Sequence, residues 1–393
     1  MSLHVIPHKV RRIQQIFAQA PRQIWKLTTD PKLTAPYWPE SPRKSRPRIF
    51  FDLLWWFLRF GEVNAYYYVY GLDRRGSVRA DVIPYGSFRR IRNRANLRTG
   101  SAPYNYVCVL RDKFLFAQFA SSLGLATPRC FALLNRDTIT WLDENTALPL
   151  ESLADRARSF DGFCKQVGGI QGDGAFPLTL ENGQLRIKNK PVSIDALRSR
   201  LDDEYLLQER IQQHPKISAL NPTSINTIRL ITFCSAGKVT LFSAAMRIGT
   251  LGKSVDNWAA GGLIVGVDSA RGTLRGEGYF KPGYGGRAIK HPNSGVVFDG
   301  FEIPYFAEAV ELVAQLHRHL RGVHSIGWDV AITPEGPTII EGNDDWEGGI
   351  PMVLERDFRE RFLRMFPQHR SHKTRTINSP GEAPSRSAAG TAL

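Results

Sequence analysis

The sequence predicts an α+β fold with a mostly helical N-terminal region, and three observations support it. Apolar residues recur at helical spacing from Phe114 to Leu123. Residues 226–250 and 261–280 alternate between apolar and polar positions, as strands do. Residues 326–343 contain two further strand-like runs around a short loop. A chain of 393 residues is long enough for two or three packed units.

The first 46 residues are basic and contain several prolines. We expect a loosely ordered arm here, with at most one short helix. The next segment, residues 49–60, is strongly apolar but too short to span a bilayer. It is either a core helix or a helix that lies at a membrane interface, and burial in the core is the favoured interpretation.

The central part begins with a helix that Asp112 caps and Gly124 ends. Residues 139–160 are expected to form another helix, which is followed by a short strand and a glycine run. The pair Asn182-Gly183 predicts a hairpin turn.

Further along the chain, residues 205–209 are expected to form a buried strand and residues 304–321 a helix. The tail from residue 368 is rich in Ser, Pro and Ala and is expected to be disordered.

The net charge of +15 favours anionic partners. Three basic clusters contribute, namely Arg43, Lys44, Arg46 and Arg48; Arg89, Arg90, Arg92, Arg94 and Arg98; and Arg370, His372, Lys373 and Arg375. We interpret them as solvated faces, because no zinc-finger, RNP or helix-turn-helix pattern accompanies them. No specific nucleic acid is expected as a partner, and at most a weak association with anionic surfaces.

The four cysteines show no paired spacing, and the N-terminus has no apolar secretory segment. We therefore expect a cytoplasmic protein whose cysteines are small buried thiols without a disulfide framework or a zinc site.

The most informative segment is the predicted hairpin of residues 326–343. A three-residue loop, Pro334-Glu335-Gly336, places Asp329 opposite Glu341, and Asn343 shares the face of Glu341 because side chains alternate along a strand. Three oxygen ligands on one face of two strands suit Mg²⁺.

The alternative is a solvated hairpin whose polar face looks outward. The metal interpretation is favoured because the opposite face is an apolar stripe, and because Gly327 and Gly342 leave room for a ligand.

Two other segments suggest a nucleotide site. A strand that ends in Lys165 leads into glycines 168, 169, 172 and 174, and backbone N–H groups together with a lysine suit phosphates. This is not a Walker A sequence, because no Gly-Lys-Ser/Thr closes it. The segment from Gln208 to Ile211 ends an apolar strand and can present backbone groups to adenine and a carboxylate to ribose.

Arginines near the second set of strands suit oxyanions. Arg229 follows Asn226 by three residues, and Arg247 lies in a later strand. Surface salt bridges remain an equal alternative for each arginine taken singly.

In this order, the segments resemble the sugar-transfer-associated ATP-grasp family, over about residues 47–366. The motifs that carry the resemblance are Asp112-Lys113, Lys165 with its glycine loop, Leu207-Gln208-Glu209, Asn226-Thr227-Ile228-Arg229, Asp256-Asn257 with Gly261-Gly262, Gly327-Trp328-Asp329 and Glu341-Gly342-Asn343. One departure is Gln166, because many relatives have proline after the loop lysine.

The resemblance implies an ATP-grasp fold, in which two α+β subdomains clasp ATP. The implied boundaries are an arm at 1–46, a helical region at 47–130, a first subdomain with glycine loop and hinge at 131–212, a second subdomain with the metal and substrate site at 213–367, and a tail at 368–393.

The resemblance also implies a role for each matching residue. The expected nucleotide-binding residues are Lys113, Lys165, Gly169, Gly172, Gly174, Gln208, Glu209, Arg210 and Ile211. The expected metal ligands are Asp329, Glu341 and Asn343, which would hold two Mg²⁺ ions or Mn²⁺ in their place. The expected catalytic residues are Asn226, Arg229 and Arg247.

The reaction that this implies joins a carboxylate, activated by ATP as an acyl-phosphate, to an amine, with an amino acid or a sugar acid as substrate. Two alternatives stay open. One is a kinase that phosphorylates a hydroxyl, and the other is a non-catalytic basic adaptor for nucleic acid or a membrane surface. The intact set Asp329, Glu341 and Asn343 argues against the adaptor.

Overall fold

Two antiparallel sheets and a group of N-terminal helices make up the protein, as described by a computed structural model. The description covers residues 8–97, 105–155, 159–169, 174–250, 252 and 256–366. One sheet has eight strands and the other seven. The predicted α+β class is confirmed.

The N-terminal region is more ordered than the sequence suggested. Its helices are α1 (His8–Thr29), α2 (Arg46–Phe60), α3 (Tyr85–Asn96), α4 (Val107–Arg111) and α5 (Lys113–Ser122). The expectation of at most one short helix in the arm is wrong, since α1 has 22 residues and includes Pro21. Ala20, Ile24 and Leu27 form one buried face of α1. This packing outweighs the roughly 3 kcal/mol that an internal proline costs a helix.

Helix α2 is half core and half surface. Leu53, Trp56 and Phe57 are buried, whereas Phe51 and Leu58 are exposed. The core interpretation is therefore confirmed for one side of the helix only. Helix α5 begins as predicted, because Asp112 Oδ1 accepts a hydrogen bond from the backbone of Leu115 at 2.8 Å.

The first sheet lies in the middle of the chain. Its elements are β1 (Cys130–Leu134), β2 (Thr138–Trp141), β3 (Thr146–Pro149), α6 (Ser152–Asp155), β4 (Phe160–Gln166), β5 (Phe176–Glu181), β6 (Gln184–Ile187), β7 (Lys190–Pro191), α7 (Ile194–Arg198) and β8 (Tyr205–Glu209). The strand order is β3-β2-β1-β8-β4-β5-β6-β7.

One prediction in this sheet is confirmed and another is wrong. Asn182 and Gly183, with φ of 50° and 72°, form the predicted turn between β5 and β6. The helix expected over residues 139–160 is instead a β2–β3 hairpin and the short α6. Ile139 and Trp141 are buried at a spacing of two, which is the period of a strand.

The second sheet is built from the rest of the chain. Its elements are α8 (Pro215–Ser218), β9 (Thr227–Ser235), β10 (Lys238–Ile248), β11 (Leu263–Asp268), β12 (Thr273–Phe280), β13 (Arg287–Ala288), α9 (Phe306–His319), β14 (Ser325–Thr333), β15 (Gly336–Asn343), α10 (Gly349–Leu354) and α11 (Phe358–Met365). The strand order is β13-β12-β11-β10-β9-β14-β15.

Both faces of this sheet are covered. Ile228 and Trp328 pack on the helix α9 side, in the same core as Val313. On the opposite side, Leu53 of α2 shares a core with Ile264. Phe88 of α3 likewise packs with Ile231 and Phe233. The polar residues of the candidate site lie on this second face, which the N-terminal helices cover.

Several basic residues are not on solvated faces. Arg92 is fully buried and donates to the carbonyl oxygen of Trp346. Lys44 lies 2.8 Å from Asp52, and Arg43 lies 2.8 Å from Asp73. The solvated-face interpretation is wrong for these three. Arg98 and the third basic cluster lie outside the described residues.

Cys108, Cys130, Cys164 and Cys234 are free thiols. Cys164 is buried, but Cys108 is exposed, so the expectation of buried thiols fails for Cys108.

Substitutions on the two sides of α2 test its packing. Leu53 is 0% exposed, and we expect Leu53→Ala to lower the free energy of unfolding by about 2–5 kcal/mol through a cavity. Leu58 is 72% exposed, so the matched Leu58→Ala change should stay within about 0.5 kcal/mol. Urea unfolding followed by circular dichroism measures both, and equal effects would contradict the described orientation of α2.

Candidate active site

The hairpin of β14 and β15 brings the expected metal ligands together. Asp329 pairs with Glu341, as predicted, but by a different route. Thr333 pairs with Gly336, so the loop has two residues and the expected three-residue loop is wrong. A β-bulge next to Asp329 inserts one extra residue into β15, which compensates for the shorter loop. Asp329 therefore still pairs with Glu341.

Asp329 is buried between two arginines. It is 3% exposed, which excludes the solvated-hairpin alternative. Arg229 of β9 is the register partner of Asp329 of β14. Its Nε lies 2.7 Å from Asp329 Oδ1, an ion pair whose angles are not those of a hydrogen bond. Arg247 Nη1 lies 3.1 Å from both carboxylate oxygens. The surface salt-bridge alternative is wrong for both arginines, because their side chains are 12% and 13% exposed.

A second buried acid, Asp256, completes this network. Arg247 Nη2 donates to Asp256 Oδ1 at 2.6 Å, and the backbone of Thr227 donates to Asp256 Oδ2 at 2.9 Å. The sequence singles out Asp256-Asn257 as a motif but assigns Asp256 no role. Asp256 is recognised only through its contact with Arg247 of β10, and no spacing of residues near Asp256 predicts that contact.

Glu341 and Asp329 titrate in opposite directions. Burial raises the pKa of Asp329 to about 6, although Arg229 and Arg247 act against this rise. Burial alone would also raise the pKa of Glu341, but a hydrogen bond with Asp329 and the charge of Lys165 lower it to about 2. Asn343 Nδ2 donates to Glu341 Oε1 at 3.2 Å. Glu341 is therefore the more acidic of the two carboxyl groups, and a bound cation would favour the ionised form of both.

The two lysines approach the same carboxylate from other elements. Lys165 lies in β4 of the first sheet, and Lys113 is the first residue of α5. Burial lowers the pKa of both lysines, that of Lys165 to about 8, while the negative charge of Glu341 opposes the shift in each case. The first sheet, α5 and the second sheet therefore meet at this site.

The glycine loop begins and ends against Gln166. A Cβ on Gly169 would lie 2.8 Å from Gln166 Cβ, and Gly174 has φ of 71° with Tyr205 Oη 3.0 Å from its Cβ position. Lys113 Nζ donates to the carbonyl oxygen of Gly169. The two glycines thus allow a close backbone approach beside both lysines. Gly172 lies outside the described residues.

The segment expected to hold adenine and ribose connects the two sheets. Gln208 is buried, and its amide donates to Cys130 Sγ at 3.3 Å, so it supports the strand. The backbone N–H groups of Glu209 and Arg210 already donate to Arg129 and Asp161. The side chain of Glu209 is exposed and can accept hydrogen bonds from a ribose. Ile211 is half-buried beside it.

Asn226 is surrounded by protein. It is 1% exposed, and its Nδ2 donates to carbonyl oxygens of Ile217 and Asn221, at 3.3 and 2.8 Å. Its Oδ1 accepts from the backbone of Gly249 at 3.2 Å. The structure does not support the expected catalytic contact, and it gives Asn226 a positioning role at the ends of β9 and β10.

Gly327 and Gly342 serve packing and not ligand entry. A Cβ on Gly327 would lie 2.5 Å from Trp346 Cβ, and one on Gly342 would lie 2.8 Å from Leu110 Cδ2. The expectation that they leave room for a ligand is therefore wrong. These close contacts allow the β14–β15 hairpin to pack against Trp346 and Leu110.

The donor set fits a magnesium ion. Asp329, Glu341 and Asn343 share one side of the hairpin and offer only oxygen ligands once the Asn343 amide turns its oxygen forward. Within the described residues, no cluster of three or more His, Cys, Asp or Glu side chains could hold a metal, so the third ligand of this set is the amide of Asn343. Two carboxylates and one amide leave positions open for water and phosphate oxygens, which is the usual binding mode of Mg²⁺.

The pKa of Lys165 leads to a pH-dependent prediction. Its ammonium is lost as the pH rises through about 8, so the affinity of the site for a polyphosphate, with Mg-ATP as the probe, should fall above that pH by up to about tenfold per unit. Lys165→Arg keeps the charge and should flatten this loss. Calorimetric titration across neutral and alkaline pH measures it, with Lys190→Arg as the exposed control in the same sheet. A wild-type affinity that does not change with pH would contradict the role of Lys165.

Gly327 provides a test of the packing behind the site. We expect Gly327→Ala to lower the free energy of unfolding by about 1–3 kcal/mol, because the new methyl group overlaps Trp346. Gly168→Ala is the control, since a Cβ there meets nothing within 4 Å. Thermal unfolding compares the two, and a neutral Gly327→Ala would argue against this packing.

Comparisons with known proteins assign the family. The model described as sugar-transfer associated ATP-grasp matches residues 92–365, which is more than half of the chain. No curated protein matches the chain.

Among solved structures, the D-alanine-D-alanine ligase from Helicobacter pylori is 13% identical, with a TM-score of 0.38 and coverage of 66% of this chain and 58% of that one. The L-amino acid ligase from Bacillus licheniformis is 11% identical, with a TM-score of 0.34 and coverage of 64% and 44%. The N5-carboxyaminoimidazole ribonucleotide synthetase from Thermotoga maritima is 12% identical, with a TM-score of 0.32 and coverage of 67% and 49%.

The matched part spans about half the length of each of these three structures. With TM-scores this low, the likenesses add nothing to the assignment, which rests on the family match. This chain belongs to the sugar-transfer-associated ATP-grasp family.

Proposed function

We propose that the protein binds Mg-ATP between its two sheets and uses it to join a carboxylate to an amine. One observation supports this proposal, namely that Lys113 contacts the backbone of Val167 and Gly169 after Lys165, and that both lysines lie within electrostatic reach of Glu341 in the β14–β15 hairpin. Members of the ATP-grasp superfamily are ATP-dependent carboxylate-amine ligases, and the chain belongs to one of its families.

The lysines and the hinge segment would hold the nucleotide. Lys113 and Lys165 are cations beside a glycine-lined backbone and suit the phosphates. Glu209, exposed at the end of β8, suits the ribose hydroxyls. Asp329, Glu341 and Asn343 would hold two Mg²⁺ ions, with Glu341 shared between them. When bound, magnesium supplies neutralisation of the phosphate charge.

In the first step, a carboxylate oxygen attacks the γ-phosphorus, and the bond to the β-phosphate oxygen breaks. ADP leaves and an acyl-phosphate forms. In the second step, the amine attacks the acyl carbon, the bond to the phosphate oxygen breaks, and the amine gives a proton to solvent. The products are an amide, ADP and inorganic phosphate.

The arginines contribute by position and charge. Arg229 and Arg247 hold Asp329 from two strands, which fixes one side of the metal-binding face. Phosphoryl transfer depends mainly on such positioning and on charge neutralisation. Because their guanidinium groups are planar and always charged, both arginines suit the oxygens of a transferring phosphoryl group.

The substrates we propose are an amino acid and a sugar acid. The description of the family as sugar-transfer associated supports a role in polysaccharide synthesis, by association and not by chemistry.

A ³¹P NMR experiment tests this function. The protein is incubated with Mg-ATP and a panel of amino acids and uronic acids. We expect substrate-dependent ADP and inorganic phosphate. Glu341→Ala should lower the rate by roughly two to three orders of magnitude, because a carboxylate that would hold magnesium at the phosphates is lost. Glu335→Ala, which removes an exposed acid from the turn of the same hairpin, should leave the rate unchanged.

Other outcomes would change the proposal. A phosphomonoester signal in place of inorganic phosphate would indicate a kinase. Absence of any magnesium-dependent ATP binding in calorimetry would overturn the enzyme proposal altogether.

A further inference from the structure

Helix α2 exposes a continuous apolar strip. Phe51, Trp55 and Leu58 are 62%, 44% and 72% exposed. Their spacing of four and three residues places them on one side of the helix, opposite the buried residues Leu53 and Trp56. Large apolar side chains that cluster on a surface mark an interaction site more often than single ones do.

A neighbouring helix extends this strip. Phe17 of α1 is 56% exposed, and its ring centroid lies 5.0 Å from that of Phe57 in α2. Arg79 stacks its guanidinium over Trp55, 4.4 Å from the ring centroid. Arg79 therefore contacts the strip itself, whereas Phe17 packs on the buried Phe57 and adds an exposed aromatic side chain beside it.

The exposed charges of α2 beside the strip are positive, although Arg48 and Arg79 also lie 3.7 and 3.5 Å from the buried carboxylate of Asp52. Arg48 and Arg59 are exposed on α2, at either end of the strip. The one acidic residue of α2, Asp52, is 3% exposed, and it accepts hydrogen bonds from Lys44 and Tyr67 at 2.8 and 2.9 Å. No acidic side chain of this helix thus reaches the surface beside the aromatic residues.

We propose that this surface, which we call the α2 face and define by Arg48, Phe51, Trp55, Leu58 and Arg59, docks on an anionic lipid bilayer. Aromatic and aliphatic side chains enter the boundary between headgroups and acyl chains, while arginines bind anionic headgroups. Among the described helices, none is long and apolar enough to cross a membrane, so this is peripheral binding in the plane of the interface.

The positive charge of the α2 face argues for lipid over a second copy of the chain. In a symmetric dimer, the face would meet its own copy and bring arginines together without exposed acids from α2. Like charges that face each other oppose association. Anionic lipid supplies the missing negative charge, and it also takes up the apolar strip, which nucleic acid would leave in water.

Vesicle co-sedimentation of the full chain tests the proposal. We expect the protein to sediment with vesicles of phosphatidylglycerol and phosphatidylcholine, and to do so far less with phosphatidylcholine alone. The triple variant Phe51→Ser, Trp55→Ser, Leu58→Ser keeps every charge and should lower the partition coefficient about tenfold or more. Arg48→Glu with Arg59→Glu should weaken binding about tenfold and reduce its dependence on salt.

The matched control removes exposed apolar side chains elsewhere. Leu97, Ile289 and Val297 are 52%, 66% and 57% exposed, and their triple substitution by serine should leave vesicle binding unchanged. Thermal unfolding checks that both triple variants are folded.

Several results would overturn the proposal. One is equal binding of the Phe51, Trp55, Leu58 variant and the wild type. A second is equal binding to neutral and anionic vesicles, or binding to neither. A third is a wild-type dimer in light scattering that the variant lacks, without vesicle binding, which would make the α2 face a contact between copies of the chain. These outcomes do not depend on whether the protein has ligase activity.

Discussion

The buried carboxylate of Asp329 is the constraint on which the rest of the site depends. A charge that is 3% exposed costs several kcal/mol unless partners compensate it, and Arg229 and Arg247 are those partners. Both arginines are themselves shielded from water, so Asp256 in turn compensates Arg247. The sheet register places Asp329 of β14 opposite Arg229 of β9, and a shift of one residue would turn either side chain to the other face. Asp256 reaches Arg247 from the segment between β10 and β11.

The balance of charge around this network also explains what the site can bind. Lys113 and Lys165 reach it from α5 and from the first sheet, and the ammonium groups and guanidinium groups outnumber the carboxylates of Asp256, Asp329 and Glu341. The lowered pKa of Lys165 shows that its charge is poorly compensated in the free protein. A bound polyanion would compensate the positive charge of Lys165, and a metal ion bound with it would balance the carboxylates of Asp329 and Glu341. This charge balance supports the proposed binding of ATP together with magnesium.

The N-terminal helices connect this chemistry to the surface of the protein. The inner side of α2 packs on the same face of the second sheet that carries the arginines, and this cover helps to keep water from the buried charges. The outer side of α2 is apolar and positively charged, and it faces solvent. One helix thus has two unlike faces, and substitutions on one of them should be separable from substitutions on the other. The proposed docking on anionic lipid would place the protein at a membrane surface through this outer side of α2.

The sequence alone determined those features that depend on short-range periodicity. The cap of α5 at Asp112 and the Asn182-Gly183 turn follow from spacings of a few residues, and the structure has both. The sequence predicts the pairing of Asp329 with Glu341 through a three-residue loop, whereas the structure reaches it through a two-residue loop and a bulge. Tertiary structure decided whatever needed a distant partner. Asp256 gains its role from Arg247, and Asn226 loses its expected contact with substrate because surrounding carbonyl groups occupy its amide. A side chain at Gly327 would overlap Trp346, and the buried Arg92 donates a hydrogen bond to the carbonyl oxygen of Trp346 in a distant segment of the chain. Local spacing reports which side of a strand or helix a residue occupies, but which atoms meet it there depends on chain segments that come together only in the folded state.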